Sequence, residues 1–233
     1  MLRTTQTQPQ DVRDRVDVPP LEPGDHLDQA TFHERYEAMP DGVKAELVGG
    51  VVYMAAALRR PHGRSHSLVI HWLYSYEDAT PGVEVYDNAT SIMGEESEPQ
   101  PDACLIILPE KGGQTRFTDD DYLNGAPELI AEVASSTESH DLHSKKRDYE
   151  RAGVKEYVVV ALRQQKVFWF VNRSGRFEEQ RPIANGVFQS EVYPGLWLDA
   201  DALIRLDGRR LIDVLKPGCA TQEHHAFANQ LAQ

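Results

Sequence analysis

The residue pattern predicts an α/β domain built on one mixed central sheet flanked by helices, with an added C-terminal β-rich extension. Three observations carry that reading. Helical and strand patterns follow one another without strict βαβ repetition: helix, strand pair, helix, strands, helix, strands. Two runs, DACLIIL and PELIAEVA, are apolar at nearly every position, as strands covered on both faces are. Neither G-x-G-x-x-G nor a Walker sequence is present, so a doubly wound nucleotide fold lacks its signature.

The elements follow in order. Residues 1–26 hold four prolines and mixed charge with little periodicity, and read as a disordered arm. Asp28 is a candidate N-cap for a helix in which Phe32, Tyr36 and Met39 recur at helical spacing. AELVGGVVYM joins two short apolar runs through Gly49-Gly50, a hairpin signal. From His62 to about Thr80, Leu68, Ile70, Trp72, Leu73 and Tyr76 supply the apolar face of a helix that Pro81-Gly82 stops. VEVYDNATSIM suggests a strand pair around Asp87-Asn88, and DACLIIL and PELIAEVASST are buried-strand candidates separated by a Gly- and Asp-rich loop at 109–126. Glu138 to Ala152 has helical spacing and a Gly153 stop, and KEYVVVALR with KVFWFVN reads as a hairpin across Gln164-Gln165. Short β segments run on to Leu198, followed by a helix capped by Asp199 and another near Leu211–Leu215. The body thus spans 27–215, and 216–233 reads as a loose tail.

Composition narrows the class. At 233 residues, 26% charged and 40% hydrophobic, the chain can bury one core. Two cysteines 115 positions apart exclude a disulfide scaffold or a Cys-rich zinc module. The sequence has no apolar run near the roughly 18 residues of a membrane span, and no secretory pattern at its start, so a soluble cytoplasmic protein with no membrane partner is expected. A formal charge of −13 argues against a surface that wraps DNA nonspecifically. It leaves room for a local basic cleft, for which residues 58–71 (Arg59, Arg60, Arg64) and 143–147 are the candidates.

Glu132 is the most informative residue. Its neighbours in ELIAEVA imply burial, and a buried carboxylate needs a pair, hydrogen bonds or a metal. Asp102 stands at the start of the other buried strand, where adjacent strands would bring the two acids together for a hard divalent cation. The plainer alternative has Asp102 solvated and Glu132 paired with an arginine. Glu46 is a third acid beside an apolar strand, and Lys145 and Lys146 follow on the next helix with Asp141 one turn earlier. Acids that hold magnesium and a lysine that steadies developing negative charge suit phosphodiester hydrolysis. His62 and His66 share a helix face at i, i+4, yet H-x-x-x-H lacks the glutamate of H-E-x-x-H, so phosphate contact or packing is preferred to zinc. His140 and His143 read as solvated helix positions. G-x-S-x-G is absent around Ser135-Ser136, and Trp169 with its aromatic neighbours reads as core.

In one order the chain carries Pro101-Asp102, Glu132-Val133, Asp141 to Lys145 to Tyr149, and Gly153-Val154 with Glu156-Tyr157. That ordered set, over about residues 30–205, resembles the PD-(D/E)xK nuclease superfamily and, more narrowly, the Uma-two type of "putative restriction endonuclease". The resemblance implies a restriction-endonuclease-like sheet, Asp102 and Glu132 as metal ligands, Glu46 as auxiliary ligand, and His62 as an auxiliary contact. It also implies Mg²⁺ (or Mn²⁺) as cofactor and DNA as substrate; cutting both strands favours a homodimer. The lysine usual two positions after Glu132 is replaced by Ala134; Lys145 takes its place, with Lys146 the alternative if the helix is turned by about 100 degrees. The competing expectation is a catalytically silent nuclease-fold module that binds nucleic acid or protein.

Overall fold

The computed structural model describes residues 18–55 and 57–233. Helix α1 (Gln29–Glu37) starts where Asp28 accepts a hydrogen bond from the Thr31 amide. The hairpin β1 (Ala45–Val48) and β2 (Val51–Met54) turns through Gly49 and Gly50, both at positive φ, where glycine carries no Cβ penalty. Helix α2 (Arg60–Glu77) follows, then β3 (Val83–Asp87), β4 (Ser91–Ile92) and β5 (Ala103–Ile107). Short strands β6 (Arg116–Phe117) and β7 (Leu123–Asn124) precede β8 (Leu129–Ala134). A π-helical segment, His140–Lys145, runs straight into α3 (Lys146–Ala152). Strands β9 (Glu156–Ala161), β10 (Lys166–Arg173), β11 (Arg176–Glu179), β12 (Val187–Gln189) and β13 (Trp197–Asp199) lead to α4 (Ala200–Ile204), α5 (Gly208–Cys219) and α6 (Gln222–Leu231).

Among the described residues, six strands form the central sheet in the order β11-β10-β9-β8-β5-β3, with β8 and β9 parallel and the other neighbours antiparallel. The expected mixed sheet flanked by helices is therefore present. Side-chain alternation sends Leu105, Ala131, Val133, Val158 and Trp169 to one face, against Trp72, Leu73 and Tyr76 of α2 and the C-terminal helices. The opposite face, with Ile130, Ala134, Tyr157 and Phe170, packs against Tyr149 of α3. Glu132 shares this second face, which is why it points at the segment carrying Lys145. A separate small core of Leu21, Phe32, Ala45, Leu47 and Val52 supports the β1-β2 hairpin.

Three sequence expectations change. The strands around Asp87-Asn88 do not pair with each other: β3 is an edge of the central sheet, and β4 runs parallel to β7 in a second sheet. Asn88, at φ 52°, turns the chain out of the first sheet. Residues 1–17 of the expected arm lie outside the described residues, but 18–26 are fixed on the hairpin: Leu21 is buried, the Gly24 amide donates to the Val52 carbonyl, and the Val52 amide donates to the Asp25 carbonyl. The segment from 216 is helical rather than loose. Leu231 is buried and His224 lies 2.9 Å from the Thr80 hydroxyl, so α6 is held on the end of α2.

Candidate active site

Asp102 precedes β5 by one residue. Extending the antiparallel register Ala103↔Ala131 by one step sets it opposite Glu132. The Asp102 amide donates to Glu132 Oε2 at 3.4 Å, while Asp102 Oδ2 accepts from the Val133 amide at 2.7 Å. The two strands thus bring the two acids together. Glu46, on β1, reaches the same place from the hairpin.

Lys145 joins these acids. Its Nζ lies 2.9 Å from Glu46 Oε2 and 2.9 Å from Glu132 Oε1, and the side chain is buried. No arginine pairs with Glu132 among the described residues. Lys146 does not face the site: its ammonium sits 4.0 Å above the Phe170 ring, so the alternative lysine is displaced by helix phase. The phase is set where the helix widens. Tyr157 donates its hydroxyl to the Asp141 carbonyl at 3.0 Å, and an outside donor on a helix carbonyl accompanies such locally broadened turns.

A cleft of about 570 Å³ opens over Glu46, Asp102, Glu132, Asp141 and Lys145, with His62 on its wall. Its rim carries Lys44, Arg59 and Arg163, all exposed, a local basic edge on an acidic chain. His62 Nε2 lies 3.1 Å from Asp102 Oδ2.

Electrostatics follow from burial and from this pairing. Burial pushes the Glu132 carboxyl up to about 8, against the pull of Lys145, and neighbouring Asp102, Asp141 and Glu46 push it the same way. Burial raises Asp141 as well. Burial opposes ionisation of Glu46, but Lys145 and His140 override it and hold that carboxyl below its ordinary value. Burial likewise opposes Asp102, which His62 and the Val133 amide keep low. Burial alone would lower Lys145; Glu132, Glu46 and Asp141 hold it well above its ordinary value. The Asp102 hydrogen bond holds His62 above its own.

Four groups near the acids stood outside the catalytic, metal and auxiliary residues expected from the sequence. Tyr149 donates its hydroxyl to Glu132 Oε1 at 2.7 Å, and its i+4 spacing from Lys145 is the signal that could have found it. Asp141 is buried in the cleft wall, where Thr137 donates to it at 2.7 Å. His140, read as solvated, instead lies against Tyr53 with ring centroids 4.1 Å apart and Nε2 3.8 Å from Glu46 Oε1. His66 Nε2 lies 2.7 Å from the Asp102 carbonyl oxygen and 3.1 Å from Asp87 Oδ1. His143 is exposed, as expected.

Residues 31–201 match the family model Uma2, described as "putative restriction endonuclease". The chain belongs to the Uma2 family. A search of curated proteins finds no match. Among solved structures, a putative nuclease belonging to DUF820 from Anabaena variabilis ATCC 29413 superposes with a TM-score of 0.55 at 13% identity, over 73% of this chain and 97% of that one. At that identity the likeness speaks for a shared fold alone. No helix among the described residues is long and apolar enough to cross a membrane.

Proposed function

We infer that the cleft is the catalytic centre of an endonuclease that hydrolyses DNA phosphodiester bonds with a divalent cation, Mg²⁺ or Mn²⁺. The supporting observation is the convergence of Glu46, Asp102, Glu132 and Lys145 in one cleft from four separate stretches of chain. The donor chemistry fits a hard cation. Four carboxyls, counting Asp141, stand over a single buried ammonium, so carboxyl oxygens are available beyond those it pairs; burial pushes Glu132 up to about 8, and a dication beside it would favour its ionised form. Asp102 and Glu132 would hold the ion, with Glu46 as auxiliary. When bound, such an ion polarises the phosphate and makes water a better nucleophile at neutral pH.

The chain's own groups do the rest. Lys145, placed between the acids, offers a fixed positive charge for a pentacovalent phosphate. Tyr149 and the Val133 amide orient Glu132 and Asp102 by donating to their oxygens. His62 keeps Asp102 ionised. Lys44, Arg59 and Arg163 give the cleft mouth a positive rim for a phosphate backbone. The test is plasmid cleavage with Mg²⁺ or Mn²⁺ by the wild type, Glu132→Gln and Lys145→Met. A loss of about 10²–10³ in rate is expected from removing one electrostatic stabiliser. Equal background cleavage in all three would refute the reading and leave the catalytically silent binding module, which the double engagement of Lys145 by Glu46 and Glu132 favours.

A further inference from the structure

We propose that His62, His66 and Asp102 form a binding site for a late first-row transition-metal dication such as Zn²⁺ or Co²⁺, which shares Asp102 with the proposed Mg²⁺ site but uses neither Glu46 nor Glu132. Among the described residues, these three side chains are the group of potential ligands whose donor atoms all lie within 4.8 Å of one another. Glu46 and Glu132 are outside it, held by Lys145. The inference goes beyond the nuclease reading and does not depend on it, since the ion would bind whether or not the cleft cuts DNA.

The spacing of His62 and His66 alone lacks a third ligand. The fold supplies one from 36 residues further along, where Asp102 meets the first turns of α2. Both histidines are buried and on one helix face, with rings 5.7 Å apart and edge to face. The 3.1 Å gap between His62 Nε2 and Asp102 Oδ2 suits two ligands of one ion. The Val133 amide holds the carboxylate in place; His66 Nε2 lies 2.7 Å from the Asp102 carbonyl oxygen and 3.1 Å from Asp87 Oδ1, contacts that an ion on that nitrogen would displace. His62 is about nine-tenths buried, with its side chain 8% exposed, and its Nδ1 has no hydrogen-bond partner among the described residues. The ring's one polar contact among the described residues is thus Nε2 on Asp102, the contact an ion between them would replace.

The donor set decides the ion. Two imidazole nitrogens and one carboxylate favour zinc, cobalt or nickel, whereas Mg²⁺ prefers oxygen and keeps its waters. His62 and Asp102 also line the cleft, so one side of a three-ligand ion would stay open to it.

The experiment uses tag-free, chelator-stripped full-length chain titrated with Co²⁺ and followed by visible absorption. One Co²⁺ per chain is expected, displaced by Zn²⁺ but not by millimolar Mg²⁺. His62→Gln and His66→Gln should each weaken it by about 10-fold or more, while Glu132→Gln should leave the bands in place. X-ray absorption of the Zn²⁺-loaded wild type avoids any folding defect in the variants: scattering from two imidazoles at about 2.0–2.1 Å is expected. Co²⁺ binding indifferent to both histidines, its loss in Glu132→Gln, displacement by Mg²⁺, or an oxygen-only shell would each overturn the proposal. Metal binding without plasmid cleavage would sink the nuclease reading and leave this one standing; Mg²⁺-driven cleavage without histidine-dependent Co²⁺ binding would do the reverse.

Discussion

Replacing Lys145 with methionine keeps the side-chain length and removes the one ammonium between Glu46 and Glu132. In the wild type that ammonium is 2.9 Å from each carboxylate and buried. Removing one partner of a buried pair costs about 3–5 kcal/mol, because the charge left behind is neither solvated nor paired. For a chain of this size, about 2–4 °C per kcal/mol converts that into roughly 6–20 °C of melting temperature. The loss must depend on pH. Glu132 in the fold already sits at about 8 against an ordinary 4.5, and without Lys145 it rises further. A carboxyl raised in the fold is harmless below its unfolded value, where both states are protonated, and destabilises progressively as pH rises through the folded value. The deficit of Lys145→Met against wild type should therefore be least near pH 5 and greatest above pH 8. Urea unfolding at both pH values measures it. Adding Glu132→Gln should recover about 2 kcal/mol relative to the sum of the single effects. A Lys145→Met variant within about 0.5 kcal/mol of wild type, or one equally impaired at both pH values, would refute the claim that this lysine neutralises buried acids.

Two further outcomes rest on features away from the cleft. Burial pushes Glu156 up to about 7 from an ordinary 4.5, even though Ser190 and the Glu191 amide donate to it. The folded state then binds more protons across that window, so wild-type stability should fall by on the order of 3 kcal/mol from pH 4.5 to 7 on its account, and Glu156→Gln should flatten this part of the urea-unfolding profile. Gly113 is different in kind: a Cβ there would stand 1.7 Å from the Ile107 carbonyl oxygen, a backbone atom with nowhere to go. Gly113→Ala should cost more than about 4 kcal/mol and express mainly as insoluble chain; a soluble variant with wild-type melting would contradict the close approach.

What local sequence could reveal, it revealed. Asp28 and Asp199 are caps because a short acceptor side chain beside a helical run has one useful thing to do, and both accept the expected amides. Glu132 was legible because an acid inside an apolar strand is costly wherever it lies. The remaining differences depend on partners far along the chain. Strand β4 leaves the central sheet to join β7, some 30 residues on, for which no local pattern exists. Residues 18–26 have little periodicity because they hold on through backbone hydrogen bonds to β2 and a single buried side chain, Leu21, rather than through a repeating apolar face. The α6 segment offers only Phe227 and Leu231 at helical spacing, too sparse to announce a helix that docks on α2 and α5. The choice of Lys145 over Lys146 turned on helix phase, which a hydroxyl from β9 helps to set.

The hairpin that carries Glu46 rests on its own small cluster of apolar side chains, while Glu132 and Asp102 ride on the large sheet. Cross-ties between the two bodies include the Leu47–Glu98 bridge, the Gly49 amide on Asp148, and the Lys145 ammonium itself. Two like charges mounted on separately seated parts push those parts apart, so the gap behaves as a vice whose opening is set by whatever positive body lies in it. A dication arriving beside those acids would add a second positive body next to the lysine arm rooted in the helix. The width of the mouth would then report on whether the arm holds the acids alone or shares them.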